Sequence, residues 1–288
     1  MSVESIRKSV SEAYAKAISA ATPSCCKAAR SCCSPDTSTK STVAELIKYD
    51  KAEIQSQPAA AASSFGCGNP LAFSGVREGE TVLDIGSGAG FDLLLASDKV
   101  GTKGRVIGVD MTDDMIARAR KNITAAGATN VEVRRGLIED LPVESSSVDW
   151  VISNCVINLS PEKSKVFKEI HRVLKPGGQM SISDIVAEEL PDEILDNKEL
   201  YNSCIAGAIS EEDYLAGLAE AGLSDIQVQE RLFFEAAQIK AAFDDKETGL
   251  AQFFHGLTES ERQEAIDRLI FQAAGKVWSA KFTARKPC

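Results

Sequence analysis

An α/β fold built on a doubly wound, mostly parallel sheet is predicted for this chain of 288 residues by three observations. Apolar strand-like runs alternate with helical segments, the first run ends in a glycine-rich turn, and two late segments alternate apolar and polar residues in period two. Val82 to Ile85 is the first strand, and Gly86-Ser87-Gly88-Ala89-Gly90 turns it into a helix at Phe91 to Ser97. A strand turning this tightly into a helix aims backbone amides at a ligand. Arg105 to Asp110 follows as a second strand, Asp113 to Ala126 as a helix, Val131 to Gly136 as a third strand and Val148 to Asn154 as a fourth. After a helix over Pro161 to Leu174, the segment Val173 to Val186 reads as a helix end, a Pro-Gly-Gly turn and a fifth strand. Leu190 to Ala221 reads as helices, with Ser210 and Asp213 spaced as a capping pair. Ser224 to Phe234 and Lys276 to Arg285 are then a sixth strand and an antiparallel seventh, with a charged helical stretch, Ala236 to Ala274, between them.

The expected organisation is a Cys-rich N-terminal arm with helices over residues 1–60 and a core over 61–235 that includes acceptor-side helices at 190–221. A helical segment with the final strand over 236–288 completes it. At 44% hydrophobic composition the chain can bury one large core. With 32 basic and 42 acidic residues the net charge is −10, and an acidic surface repels nucleic acid. No apolar run reaches bilayer-spanning length, and the first twenty residues lack both a signal-peptide core and the acid-poor character of a transit peptide. A soluble cytoplasmic monomer acting on a small molecule, with neither membrane nor nucleic acid as partner, is the expectation.

The glycine spacing separates two ligand classes. Dinucleotide sites use G-x-G-x-x-G, with a pyrophosphate on the helix N-terminus. Here the spacing is G-x-G-x-G and Asp84 stands two residues before the first glycine, where a carboxylate suits a cation better than a phosphate. VLDIGSGAGFD, residues 82–92, resembles the first motif of S-adenosylmethionine-dependent methyltransferases. The resemblance implies a Rossmann-like class I methyltransferase with a seven-stranded, mostly parallel sheet and helical insertions. It also implies that Gly86 and Gly88 admit the methionine end of the cofactor and that Asp110 binds the ribose hydroxyls. Met111, Ile138 and Glu139 would enclose the adenine, Glu139 accepting from its exocyclic amine; Asn154 would lie near the methionine portion and Phe65 would stack. The bland alternative for Asp110 is a strand-end turn residue.

Eight cysteines are the second informative feature: Cys25, Cys26, Cys32, Cys33, Cys67, Cys155, Cys204 and Cys288. In a cytosolic enzyme such an excess points to metal binding or catalysis rather than disulfides. Adjacent pairs such as Cys25-Cys26 give poor tetrahedral geometry, which disfavours zinc. Cys67 lies just upstream of the first strand, Cys155 directly follows the fourth, and Cys204 sits in the helical insertion after the fifth. Three thiols converging on one methyl donor would make a soft-ligand site. Each has an ordinary alternative as a small buried hydrophobe, Cys288 as an incidental terminal thiol, and the N-terminal group as a flexible tail.

Five linked motifs sharpen the resemblance: GCGNP (residues 66–70), VLDIGSGAGFD, GVDMTDDMI (108–116), ISNCVINLSPEK (152–163) and CIAGAIS (204–210). Together they resemble the arsenite methyltransferases. That likeness implies that Cys67, Cys155 and Cys204 bind trivalent arsenic, supplied as arsenite or its thiol conjugates. A fourth cysteine from the arm would take part in redox steps, with Cys33 favoured as the partner of Cys67, and a thiol reductant, glutathione or thioredoxin, would be a co-substrate. In long eukaryotic relatives an aromatic hydroxyl often precedes the Gly-Cys pair, whereas Phe65 can only stack. The chemistry needs no general base, because trivalent arsenic carries no proton to remove, and this suits a chain whose only histidines are His171 and His255. His171 reads as a packing or surface residue. Two rival readings remain: a methyltransferase for a quinone-like or sterol-like acceptor, which needs no thiol triad, and a metalloid-sequestering protein.

Overall fold

The apolar run ahead of the glycine turn forms β1 (Thr81–Ile85), buried from Val82 to Ile85. It pairs in parallel with β2 (Arg105–Asp110) on one side and β4 (Val148–Asn154) on the other, and β3 (Val131–Arg135) continues the β2 side. β5 (Leu174–Ala187) lies parallel to β4, β7 (Val277–Arg285) antiparallel to β5, and β6 (Ser224–Phe233) antiparallel to β7. The computed structural model describes residues 2–20, 49–61, 63–64, 66–72, 74–190, 201, 204–233, 258–261, 263–264, 266–267 and 275–288. Among the described residues the strand order is β3-β2-β1-β4-β5-β7-β6. The direction of winding reverses between β1 and β4, so their C-terminal ends part and leave a crevice there.

Because successive strand residues face opposite sides, each strand feeds two cores. Val82, Trp150 and Ile152 pack with Leu93 and Leu94 of α4 (Phe91–Val100) and with Ile116 and Ala119 of α5 (Asp113–Ala126). Leu83, Ile85 and Val151 face the other way, onto Phe167 and Ile170 of α6 (Lys163–Val173) and Tyr214 and Leu218 of α7 (Glu211–Glu220). α7 begins at Ser210, whose hydroxyl accepts from the Asp213 amide, as the capping pair predicts. Ahead of β1, the chain forms α1 (Val3–Ala20), α2 (Lys51–Ser56) and α3 (Pro58–Ala61), and α1 lies against α5.

Two local readings are corrected. The Pro-Gly-Gly segment is not a turn in front of β5 but an irregularity inside it: pairing with β4 starts at Val148–Leu174 and resumes at Trp150–Gln179. Its backbone groups find partners beyond β7, the Gly177 amide donating to the Lys286 carbonyl and the Lys286 amide to Gly178, which holds the segment in the sheet with Gly177 at φ +78°. Cys204 does not occupy a helical position; it sits in a turn with φ +66°.

Tyr214 stacks flat on Phe282 of β7 at 4.1 Å between ring centroids, and Phe167 tilts against it at 5.2 Å. This triad joins α6, α7 and the antiparallel end of the sheet, and Phe282 is fully buried. Phe282→Ala is therefore expected to cost about 3 to 5 kcal/mol. Chemical denaturation with an unchanged m-value would check it; a loss under 1 kcal/mol would show that the triad does not join these elements.

Candidate active site

At the β1–β4 crevice the glycine turn comes out of β1 and the segment Asn154-Cys155-Val156 comes out of β4. Gly86 has φ +73°, and a Cβ there would also run into Val156, so both the conformation and the space demand glycine. These two segments wall a cleft. Its lining includes Asp84, Gly86, Gly88, Asp92, Asp110, Met111, Ile138, Glu139, Asn154 and Cys155. Every residue predicted for the cofactor thus lines one cleft, apart from Phe65, which lies outside the described residues.

Asp110 closes β2 over the turn. One carboxylate oxygen accepts from the Gly88 amide at 2.9 Å and the other from Thr112 at 2.8 Å, so the acid at the strand end also fixes the glycine loop. Burial pushes the Asp84 carboxyl well above its ordinary value, and the charges of Asp92 and Asp110 push it the same way. Burial likewise raises Asp110, although the amides of Thr112 and Gly88 work against it. Burial raises Asp92 to about 6, while hydrogen bonds from Tyr49 and Asn154 pull it down. Three neighbouring carboxylates that raise their own proton affinity form a pocket whose chemistry fits a cation-bearing ligand.

Sequence reasoning placed Asn154 beside the cofactor, but its side chain has a second task. Its Oδ1 accepts from the Cys67 amide at 2.9 Å and the Gly68 amide at 3.2 Å. Its Nδ2 donates to the Gly68 carbonyl at 2.6 Å, to the Tyr49 hydroxyl at 2.8 Å and to Asp92 at 3.2 Å. Tyr49 in turn donates to Asp92 at 2.7 Å. A Cβ at Gly66 would collide with the Asn154 amide, so a glycine there lets the loop lie flat on it.

That clamp fixes Cys67 in the buried cluster that also holds Cys155, which lines the cleft. Cys67, Cys155 and Cys204 are all buried and free, and they share one cluster with Ile185, Leu159 and Val10. The sulfurs of Cys67 and Cys155 and a carboxylate oxygen of Asp184 lie within 4.8 Å of one another. Cys204 donates its S–H to the Cys155 carbonyl at 2.9 Å. Cys155 at φ +60° and Cys204 at φ +66° both sit in the left-handed region that non-glycine residues avoid. Such strain, of order 1 to 3 kcal/mol per residue, persists where surrounding structure enforces it. Burial raises the Cys67 and Cys155 thiols, Cys155 well above the ordinary value with its sulfur neighbours adding to the effect. Cys33, with Cys25, Cys26 and Cys32, lies outside the described residues.

Several residues of the site were not singled out in the sequence. Arg7 on α1 pairs with Glu139 at 3.2 Å and Glu162 at 2.7 Å, and Ser160 donates to the same Glu139 at 2.7 Å. Glu139, predicted to meet the adenine amine, thus also anchors α1 over the mouth. Tyr14 of α1 and Val10 line the cleft beside Cys155. Asp184 is fully buried, receives Asn158 Nδ2 and the Ile185 amide at 2.9 Å each, and is raised to about 7 by burial. Asp92 was legible as the last residue of the quoted glycine motif. The α1 face was legible as Ile6, Val10, Tyr14 and Ile18, four residues apart. His171 is partly exposed and stands against Gly222, away from the cleft lining.

The methyltransferase-domain family model matches residues 77–222. An arsenite methyltransferase of Halobacterium salinarum is 47% identical over 198 residues, 68% of this chain and 50% of that protein. A demethylmenaquinone methyltransferase of Listeria monocytogenes is 32% identical over 116 residues, 40% of this chain and 49% of its own. The crystal structure of an arsenic(III) S-adenosylmethionine methyltransferase from Chlamydomonas reinhardtii superposes with a TM-score of 0.60 at 30% identity, covering 89% of this chain and 75% of that one. The chain spans about half the length of the curated relatives it matches. The seven-stranded sheet and the likeness to arsenite methyltransferases read from the sequence are both borne out. No described helix is long and apolar enough to cross a membrane.

The raised Asp92 carboxyl makes a pH prediction with a definite sign. Its folded value of about 6 exceeds its ordinary 3.8, so protonated Asp92 favours the fold below about pH 4 and that contribution disappears as pH rises through 6. Ligand-free Asp92→Asn, which carries no charge to bury, should therefore gain stability relative to the native protein between about pH 4 and pH 6. Denaturation of both proteins across that range reads the difference directly; a difference that shrinks with rising pH would contradict the assignment.

Proposed function

This chain belongs to the arsenic(III) S-adenosylmethionine methyltransferase family, and on that premise we propose that it methylates arsenite held by Cys67, Cys155 and Cys204. The observation that carries the proposal is the packing of three buried thiols from distant segments, residues 67, 155 and 204, into one cluster, from which Cys155 faces the carboxylate-lined cleft. A site for a quinone-like or sterol-like acceptor would have no use for that convergence.

S-adenosylmethionine supplies an electrophilic methyl group when bound. The residues that would hold it are those predicted: Gly86 and Gly88 at the methionine end with Asn154 beside them, Asp110 at the ribose, and Met111, Ile138 and Glu139 around the adenine. Phe65 belongs to this proposal from the sequence alone. Asp84, Asp92 and Asp110 fit a ligand bearing a sulfonium and an ammonium, because cations would stabilise the ionised forms that burial opposes.

Thiolates of Cys67, Cys155 and Cys204 would replace the three hydroxyls of arsenite, each thiol proton leaving with a hydroxide as water. Trivalent arsenic with three sulfur neighbours keeps a lone pair, and that pair is the nucleophile; no side chain has to remove a proton. Fixing the acceptor in the cleft beside the donor supplies the proximity part of the rate gain. Loss of the lone pair to a methyl cation leaves arsenic pentavalent. Two electrons return it to the trivalent state when two thiols close to a disulfide, for which we assign Cys67 and Cys33, and glutathione or thioredoxin would reduce that disulfide. Biotransformation of arsenic into methylated forms is the function this supports.

Two sets of variants test the proposal by opposite responses. Serine at Cys67, Cys155 or Cys204 replaces a soft ligand with a hard one, so arsenite should bind much more weakly, through the two remaining thiols, and methylation should be lost while cofactor affinity stays within about twofold of native. Asp110→Ala removes charge-assisted hydrogen bonds worth about 2 to 3 kcal/mol, so cofactor affinity should fall more than tenfold. Calorimetry with S-adenosylhomocysteine and a methylation assay separate the two. A serine variant at Cys155 or Cys204 that methylates arsenite at the native rate would overturn the thiol site, and unchanged affinity in Asp110→Ala would overturn the ribose assignment.

A further inference from the structure

α1 enters the site from outside the sheet, and its inward face is seated at three points. Arg7 is tied to Glu139 and Glu162 at the mouth, Val10 is buried in the thiol cluster, and Ile18 is buried against Ala89 and Met115 beside the glycine turn. Tyr14 lies between Val10 and Ile18 on the same face. Its ring packs on the cluster that holds Cys67, Cys155 and Cys204, and its hydroxyl is hydrogen-bonded with Cys204.

Cys204 is the thiol whose position is least determined by the sheet. Cys155 directly follows β4 and Cys67 is clamped by Asn154, whereas Cys204 belongs to a turn and spends its S–H on the Cys155 carbonyl. When arsenite condenses with Cys204, that proton leaves with a hydroxide as water and the bond to Cys155 disappears. The sulfur then only accepts, and it needs a donor to stay in place.

We propose that Tyr14 is a positioning residue of the arsenic site, its hydroxyl donating to the Cys204 sulfur and holding it toward Cys67 and Cys155 once the thiol proton has gone. The inference rests on the reading of Cys204 as an arsenic ligand. A tyrosine hydroxyl stays protonated at neutral pH, its ordinary pKa being about 10, so Tyr14 remains a donor beside thiolates.

Tyr14→Phe removes one hydroxyl and keeps the ring on the cluster. Arsenite titrations followed by the ultraviolet absorbance of arsenic–thiolate bonds should show affinity lowered by roughly tenfold or more, the loss of a hydrogen bond to a charged sulfur. The steady-state counterpart is a raised KM for arsenite with kcat within twofold of native, and S-adenosylhomocysteine affinity, which reports the seating of α1 and the fold, should be unchanged. In a double-mutant cycle, Tyr14→Phe should add nothing further to Cys204→Ser, because the sulfur it serves is gone. Native arsenite affinity in Tyr14→Phe, or a full further loss on the Cys204→Ser background, would overturn the assignment. If Cys204→Ser itself bound arsenite like the native protein, the reading of the thiol site would fail first, and the role of Tyr14 with it.

Discussion

The side-chain amide of Asn154 joins the two halves of the site. By accepting from the amides of Cys67 and Gly68 and donating to the Gly68 carbonyl, it holds the Gly66-Cys67-Gly68 loop on the end of β4. Through Tyr49 and Asp92 the same amide is tied to the first turn of α4, which issues from the glycine loop. Cys155 is the next residue along the chain. One amide therefore fixes two of the three thiols relative to the cofactor cleft, and the parallel pairing of β1 with β4 fixes the amide. A proximity mechanism depends on this kind of frame, because a displacement of about 1 Å can cost about a hundredfold in rate.

Electrostatics explain why the frame needs its ligands. Asp84, Asp92 and Asp110 crowd around the glycine loop, and burial raises all three. Burial raises the Cys67 and Cys155 thiols as well. Both groups ionise at a cost in the ligand-free protein, and the proposed ligands, a cation for the carboxylates and arsenic for the thiolates, would relieve that cost. The left-handed backbone at Cys155 and Cys204 belongs to the same pattern of stored cost at a working site.

The sheet was legible because its strands are short apolar runs closed by acids and glycines, and the periodicity of 2 in β6 and β7 separates them from the helices. The cleft was legible for a related reason: Gly86, Gly88, Asp84 and Asp110 are demanded by backbone geometry and charge at the end of a strand, and these are visible as spacing. The Pro-Gly-Gly segment was misread because the partners that hold it in the sheet, at Lys286, lie more than a hundred residues away. Tyr14, Arg7 and Tyr49 were missed for the same physical reason. Each acts across the fold on a residue far along the chain, and nothing local marks a helix face as a roof over a site rather than an ordinary packing stripe. Cys204 was read as a site residue from its motif, but its turn conformation is held by bonds to the carbonyls of Tyr201 and Cys155.

The central claim is that three sulfurs from this chain hold the arsenic that receives the methyl group. X-ray absorption at the arsenic edge, on the protein loaded with one equivalent of arsenite and S-adenosylhomocysteine, counts those neighbours without reference to turnover. Three sulfur neighbours and no oxygen are expected, falling to two sulfurs in Cys204→Ser. A first shell that retains two or more oxygens in the native protein would contradict the account.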